Sequence, residues 1–203
     1  MKPVPEFEQV AGDLFVWHGY NPECKTDCSS AAVQTSDGFV LIDPVRIEEQ
    51  ALERMVGHDK VTAVLLTNGN HWRGTSYEKV RLDIPVYAPE GARGEVEADR
   101  WVKDGEILFG KIKAVGLPGG GPGETAYLIP GALILGDALV NLDGLAVLPD
   151  QYCENPRLLR ESIKVLPDLN FDIVCFAHGL PIREGAGKAA IQALGGKAET
   201  LKS

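Results

Sequence analysis

Four short apolar runs in this 203-residue chain each stop at residues able to do chemistry. Asp43 follows FVLI, the segment Asn68 to Arg73 (NGNHWR) follows AVLLT, Asp137 follows LILG, and His178 follows IVCFA. Carboxylates and imidazoles bind divalent metals and move protons near neutral pH, while a guanidinium holds anions with a rigid fork of donors. Apolar runs of this length are buried strands, and strand ends in α/β sheets converge on clefts. A single Asp at such an end often only satisfies free backbone N–H groups of a turn or cap. Four such ends in one chain point to a shared site.

The elements that must position these residues follow from periodicity. Leu14–Tyr20, Ser30–Thr35 and Phe39–Asp43 are rich in β-branched and aromatic residues and read as strands, with a turn at Ser36-Asp37-Gly38 before the last. Ile47, Ala51, Leu52, Met55 and Val56 recur at helical spacing until Gly57. Thr62–Thr67 reads as a buried strand, then come a polar loop (Asn68–Gly74), a short helix and the strand Pro85–Pro89. The second half repeats this grammar. Hairpins are expected at Glu106–Leu117, around Gly110, and at Thr125–Asp137, turning at Pro130-Gly131. Asn155-Pro156 opens a helix, Asp172–Gly179 is a last buried strand, and GAGKAAIQALGG (185–196) closes as a helix. No linker or charge block divides the chain, so it reads as a single domain over residues 1–203, with a sheet core and helices outside.

Composition narrows the function classes. The net charge is −9 with the acids dispersed, which argues against nucleic acid and anionic membranes as partners, since both need clustered Lys and Arg. No apolar run approaches the ~20 residues that cross a bilayer, and MKPVPEFEQ has no apolar stretch for a signal peptide; a cytoplasmic protein is expected. Of the four cysteines, Cys24 and Cys28 are close enough for a clip or half a metal site, but no second Cys/His pair follows. They read as reduced thiols.

The segments FVLIDP, AVLLTNGNHWRG, GLPGGGPGETAYLIPGALILGDAL and FAHGLPI, in this order, resemble the successive motifs of the metallo-β-lactamase superfamily from about Phe15 to Leu194. That resemblance implies a four-layer αββα sandwich of the α/β class, with the active site along one edge of its two sheets. In active members a strand ends in Thr-His-x-His-x-Asp-His, and a Pro-Gly-His loop, a Gly-Asp and a Gly-His-Gly complete a dinuclear zinc or iron site. Its chemistry is hydrolysis by a metal-activated hydroxide.

With the motif begun at Thr67, Asn68 and Asn70 stand where the first two histidines belong, Trp72 at the Asp and Arg73 at the third His. The Pro-Gly-His loop is Pro118-Gly119-Gly120. Only Asp137, the usual bridging carboxylate, and His178, the last ligand, remain, so a dinuclear site is not expected. A buried Asp137 then needs another cation. One candidate is Arg73, forking onto Asp137. The other is a single zinc or iron ion held by His71, Asp137 and His178, although His71 falls on a motif position that is not a ligand in the family.

Two functions follow from the resemblance. As a hydrolase of a small ester, lactone or thioester, with one metal or none, the chain would use His178 as base, Arg73 as oxyanion stabiliser and Asp137 beside them. As a pseudo-hydrolase, it would bind a small ligand, anionic in view of Arg73, in the old cleft. Asn68, Asn70, Trp72 and His18 are the further expected lining residues, His18 also reading as strand-end packing with Trp17 and Tyr20. GGGPGE (Gly119–Glu124) lacks the Lys-Ser/Thr of a phosphate loop and reads as a turn.

Overall fold

The computed structural model describes residues 2–22, 24–183 and 187–193. The first half contains β1 (Glu8–Ala11), β2 (Leu14–Asn21), β3 (Thr26–Thr35), β4 (Gly38–Ile42), α1 (Glu49–Val56), β5 (Val61–Leu65), α2 (Thr75–Leu82), β6 (Val86–Pro89) and β7 (Arg100–Val102). These seven strands form one sheet in chain order. β1 to β4 are antiparallel neighbours, and β4 to β7 run parallel. Helix α1 bridges β4 and β5, and α2 bridges β5 and β6, as parallel pairing demands of a crossover.

The second half supplies β8 (Ile107–Leu108), β9 (Ile112–Gly116), β10 (Thr125–Ile129), β11 (Gly131–Leu135), the small hairpin β12 (Leu139–Asn141) and β13 (Leu145–Val147), α3 (Pro156–Ser162) and β14 (Phe171–Phe176). A five-stranded sheet has the order β14-β11-β10-β9-β8, with β14 parallel to β11. A further helix covers residues 187–193. Asn155 caps α3 through its side chain, accepting from the Leu158 N–H at 3.0 Å, with Pro156 at the first helical position.

Strand alternation sorts the apolar residues into three layers. Leu14 and Val16 of β2 face inward with Ile42, Leu65, Tyr127, Ile134 and Cys175, forming the layer between the two sheets. Phe15 and Trp17 face the other way, onto Ala51, Leu52 and Met55 of α1. On the far side, Leu133, Leu135, Val174 and Phe176 meet Leu159 of α3 and Ile191. The architecture is thus the αββα sandwich expected from the sequence. Among the described residues no helix is long and apolar enough to cross a membrane.

Most expected elements recur with shifted ends. β3 begins at Thr26 rather than Ser30, which puts Asp27 and Ser29 on a strand beside the site. β1, β7 and the β12–β13 hairpin are three or four residues long, too short to show a period in the sequence. The closing helix is seen over 187–193; the rest of the expected 185–196 lies outside the described residues.

Candidate functional site

β4 is parallel to β5 and β11 to β14, so the C-terminal ends of all four strands open on one edge of the sandwich. Asp43, just past β4, takes a left-handed φ of 47°, a conformation that short polar side chains tolerate. Its carboxylate turns toward the loop after β5. It accepts from the Thr67 N–H (2.8 Å), the Thr67 hydroxyl (2.5 Å) and Nδ1 of His71 (2.8 Å). The single Thr67 hydroxyl proton goes to Asp43, so Oγ1 itself accepts from His71 Nδ1 at 2.8 Å. The other ring nitrogen, Nε2, faces Oδ1 of Asp137 at 3.1 Å.

His71 therefore lies between two carboxylates, both ring nitrogens directed at acceptors, and is 3% exposed. Burial and the neighbouring Arg73 oppose a charged ring. The Asp137 and Asp43 carboxylates outweigh them and hold its pKa up at about 9. In return, although burial works against ionisation, the His71 cation and its hydrogen bond keep Asp137 well below the usual carboxylate range. Asp43 is lowered in the same way.

Asn68 is fully buried and bridges two acids, its Nδ2 donating to Glu124 Oε2 (2.8 Å) and Asp137 Oδ2 (3.1 Å). Its Oδ1 accepts the Asn70 N–H at 2.9 Å. Glu124 also accepts from the Ala138 N–H (3.0 Å) and the Gly121 N–H (3.2 Å). Burial and the charge of Asp137 push Glu124 up to about 8. Gly136 makes this packing possible, because a Cβ there would lie 2.5 Å from Glu124 Oε1 and 2.6 Å from Thr67 Oγ1.

Arg73 closes the site from the other side. Nη1 donates to the carbonyls of Ser29 (2.7 Å) and Asp43 (3.4 Å), and Nη2 to the carbonyl of Ala177 (3.2 Å). Nη2 also lies 3.3 Å from Nε2 of His178. Nδ1 of His178 faces the Asp27 carbonyl at 2.9 Å, which fixes the proton on Nδ1. Burial and then the Arg73 charge lower the His178 pKa, so the neutral ring presents its Nε2 lone pair to Arg73. Asp137 Oδ1 is 3.4 Å from that same Nε2.

The sequence profile of the metallo-beta-lactamase superfamily matches residues 9–193. The chain belongs to the metallo-beta-lactamase superfamily. Crystal structures of the same fold include the metallo-beta-lactamase family protein TTHA1429 from Thermus thermophilus, at 19% identity and a TM-score of 0.71, covering 95% of this chain and 81% of that one. The DIM-1 metallo-beta-lactamase is 16% identical with a TM-score of 0.77, covering 98% and 99%. TTHA1623, solved in a di-iron-bound form, is 25% identical with a TM-score of 0.67, covering 82% and 94%. No curated protein matches the chain.

The superfamily's pair of metals does not fit the residues present. Asn68 and Asn70 are poor ligands, Trp72 and Arg73 are none, and Gly120 has no side chain. Among the described residues one group has metal-ligand character: His71, Asp137 and His178, whose ligating atoms lie within 4.8 Å of one another. Nε2 of His71 faces Asp137 and Nε2 of His178 faces a guanidinium N–H of Arg73.

The structure brings together His71, Asp137, His178, Arg73 and Asn68, all singled out in the sequence. It corrects the expected fork of Arg73 onto Asp137: no ion pair forms, because the guanidinium is turned to backbone carbonyls and His178, while His71 and Asn68 satisfy Asp137. Trp72 packs against the outer apolar layer of the first sheet, with Nε1 donating to Ser76 Oγ at 2.5 Å, and so leaves the site. Asn70 is exposed at the loop tip. His18 adjoins through Ser29: its Nδ1 is 2.7 Å from Ser29 Oγ, which donates to the Gly179 carbonyl at 3.0 Å. Glu124 joins the site through Asn68 without having been singled out in the sequence. An acid directly after a glycine-rich turn and before an apolar strand was its only signal.

Proposed function

We propose that this chain is a non-hydrolysing, metal-free member of its superfamily, which binds a small polar ligand in the cytoplasm at the edge where Asp137 and His178 approach the surface. The observation that carries this reading is His71. Its cationic ring stands between Asp43 and Asp137 and neutralises the carboxylate that a metal would otherwise neutralise. With Asp43 and Asp137 negative and His71 and Arg73 positive, this cluster balances its own charge.

Hydrolysis would need a base with a free lone pair and donors free to receive an oxyanion. His178 Nε2 is capped by Arg73, and four of the roughly five N–H groups of a guanidinium point at internal acceptors. Neither group is free for catalysis without rearrangement. Of these loop and strand-end residues Asn70 is exposed and His178 partly so, which leaves the Asn70 amide as the group offered to a small polar ligand.

A second reading has its own support. His71 Nδ1 on Asp43 and His178 Nδ1 on the Asp27 carbonyl reproduce the way metal-binding imidazoles are oriented by outer partners. A single zinc or iron ion would be held by His71, Asp137 and His178, and when bound would supply water activated near neutral pH. It would require Arg73 to leave His178.

Elemental analysis of protein purified without chelator or added metal separates the two readings. Metal far below one equivalent, together with no turnover on esters, lactones and thioesters, is the expected result. One equivalent of zinc or iron, or turnover abolished by His178→Ala in a folded protein, overturns the metal-free reading. Ligands are sought by thermal shift, with loss of the shift in Asn70→Ala as the check on location.

A further inference from the structure

The β2–β3 hairpin carries two of the backbone anchors just described and a pair of thiols that the proposed function leaves unused. The Asp27 carbonyl holds His178 and the Ser29 carbonyl holds Arg73, with Cys28 between them in the chain. The Cys28 side chain points to the opposite face, 1% exposed in the apolar layer with Trp17. Cys24 sits in the exposed turn, and its Sγ lies 4.0 Å from that of Cys28. The Cys24 thiol also makes a long contact, 3.9 Å, to the Asn21 carbonyl.

We propose that Cys24 and Cys28 form a redox-active dithiol, oxidised by hydroperoxides to an intrachain disulfide that moves the Asp27 and Ser29 anchors of the site. The exposed Cys24 meets the oxidant first. Its sulfur attacks the outer oxygen of the hydroperoxide, the O–O bond breaks, and the alcohol (water, for hydrogen peroxide) leaves with the thiol proton. Cys24 is then a sulfenic acid. Cys28 sulfur attacks the Cys24 sulfur, the S–O bond breaks, and water leaves with the Cys28 proton. Two thiols are oxidised and one peroxide is reduced.

Burial pushes the Cys28 thiol up to about 11, which protects it from the oxidant, while the 4.0 Å between the sulfurs puts it next to a sulfenic acid at Cys24. Closure from 4.0 Å to a bond of about 2.05 Å draws the turn against β3, where residues 27 and 29 flank the moving sulfur. The dithiol chemistry does not depend on whether the site holds a metal.

The test treats the reduced full chain with one equivalent of hydrogen peroxide. The expected result is a mass loss of about 2 Da, a fall in titratable thiols from four to two, and a Cys24–Cys28 linked peptide, all reversed by dithiothreitol. Cys28→Ala should instead trap a dimedone-reactive sulfenic acid at Cys24, and the His178 ring resonances should shift on oxidation of the wild type only. A gain of about 32 Da at Cys24 with Cys28 still reduced, preferential oxidation of Cys153, or a disulfide-linked dimer would overturn the proposal. An intrachain disulfide that leaves the His178 resonances unmoved would overturn its coupling to the site.

Discussion

Nε2 of His71 lies 3.1 Å from Oδ1 of Asp137, a contact made across 66 residues of chain and across the two sheets of the sandwich. In the motif register His71 occupies a position without a metal-binding role in the family, yet it is the residue whose ring reaches Asp137. Within the loop Asn68–Arg73, Asn68, His71 and Arg73 face the site, while Trp72 turns outward and Asn70 is exposed.

Removing that ring should be costly. In His71→Gln two buried carboxylates lose their shared cation, a situation that destabilises proteins by about 3–5 kcal/mol. Urea denaturation measures it. A loss below about 1 kcal/mol would show that His71 is not the charge that balances Asp43 and Asp137.

Stability should fall with rising pH on the alkaline side. The folded His71 holds its proton to about 9, while an unfolded histidine releases it near 6.5, so unfolding releases a proton between these values. The contribution is complete below about 6.5 and lost as pH rises through 9, with a total on the order of 3 kcal/mol. Glu124, held up at about 8, acts in the same direction from a lower starting pH. Asp43 and Asp137 act oppositely: their contribution is present above about 4 and lost as pH falls. Denaturation midpoints from pH 5 to 10 trace the curve, and a flat alkaline limb would contradict a cationic His71.

Arg73→Met should do two separable things. The Ser29, Asp43 and Ala177 carbonyls lose a charged donor, at a cost of about 2–4 kcal/mol. The His178 pKa should also rise, because the guanidinium is one of the influences holding it down after burial. NMR titration of the ring reports the second effect without reference to stability. An unmoved His178 would place Arg73 outside the electrostatics of the site.

Two glycines should resist replacement for different reasons. Gly136→Ala would drive a Cβ into Glu124 and Thr67, and should cost about 1–3 kcal/mol by overpacking. Gly179→Ala would place its Cβ 2.0 Å from the Asn141 carbonyl oxygen at a φ of 109°, against backbone that cannot yield. Thermal melts should rank Gly179→Ala as the worse of the two.

Much of this was legible in the sequence. The long apolar strands announced themselves, and the strand ends holding Asp43, Asp137 and His178 meet as their positions imply. The pairing within the site was not legible. Arg73 and Asp137 have the chemistry to form a fork, but whether a guanidinium reaches a carboxylate depends on loop conformation, and the loop turns it to three carbonyls instead. Trp72 and His71 are adjacent in sequence, and a local backbone turn sends one outward and the other inward. Glu124 escaped notice because its partners, Asn68 and Ala138, lie 56 and 14 residues away.

The acceptors of Arg73 stand 44, 30 and 104 positions from it in the chain, two near the first sheet and one at the end of β14. The full set of these bonds cannot form until both halves have docked, and if docking follows the folding barrier the bonds are absent from the transition state. Loss of Arg73 should consequently leave the refolding rate almost unchanged and shorten the lifetime of the folded chain. Arg73 would then serve as a kinetic latch on the sandwich.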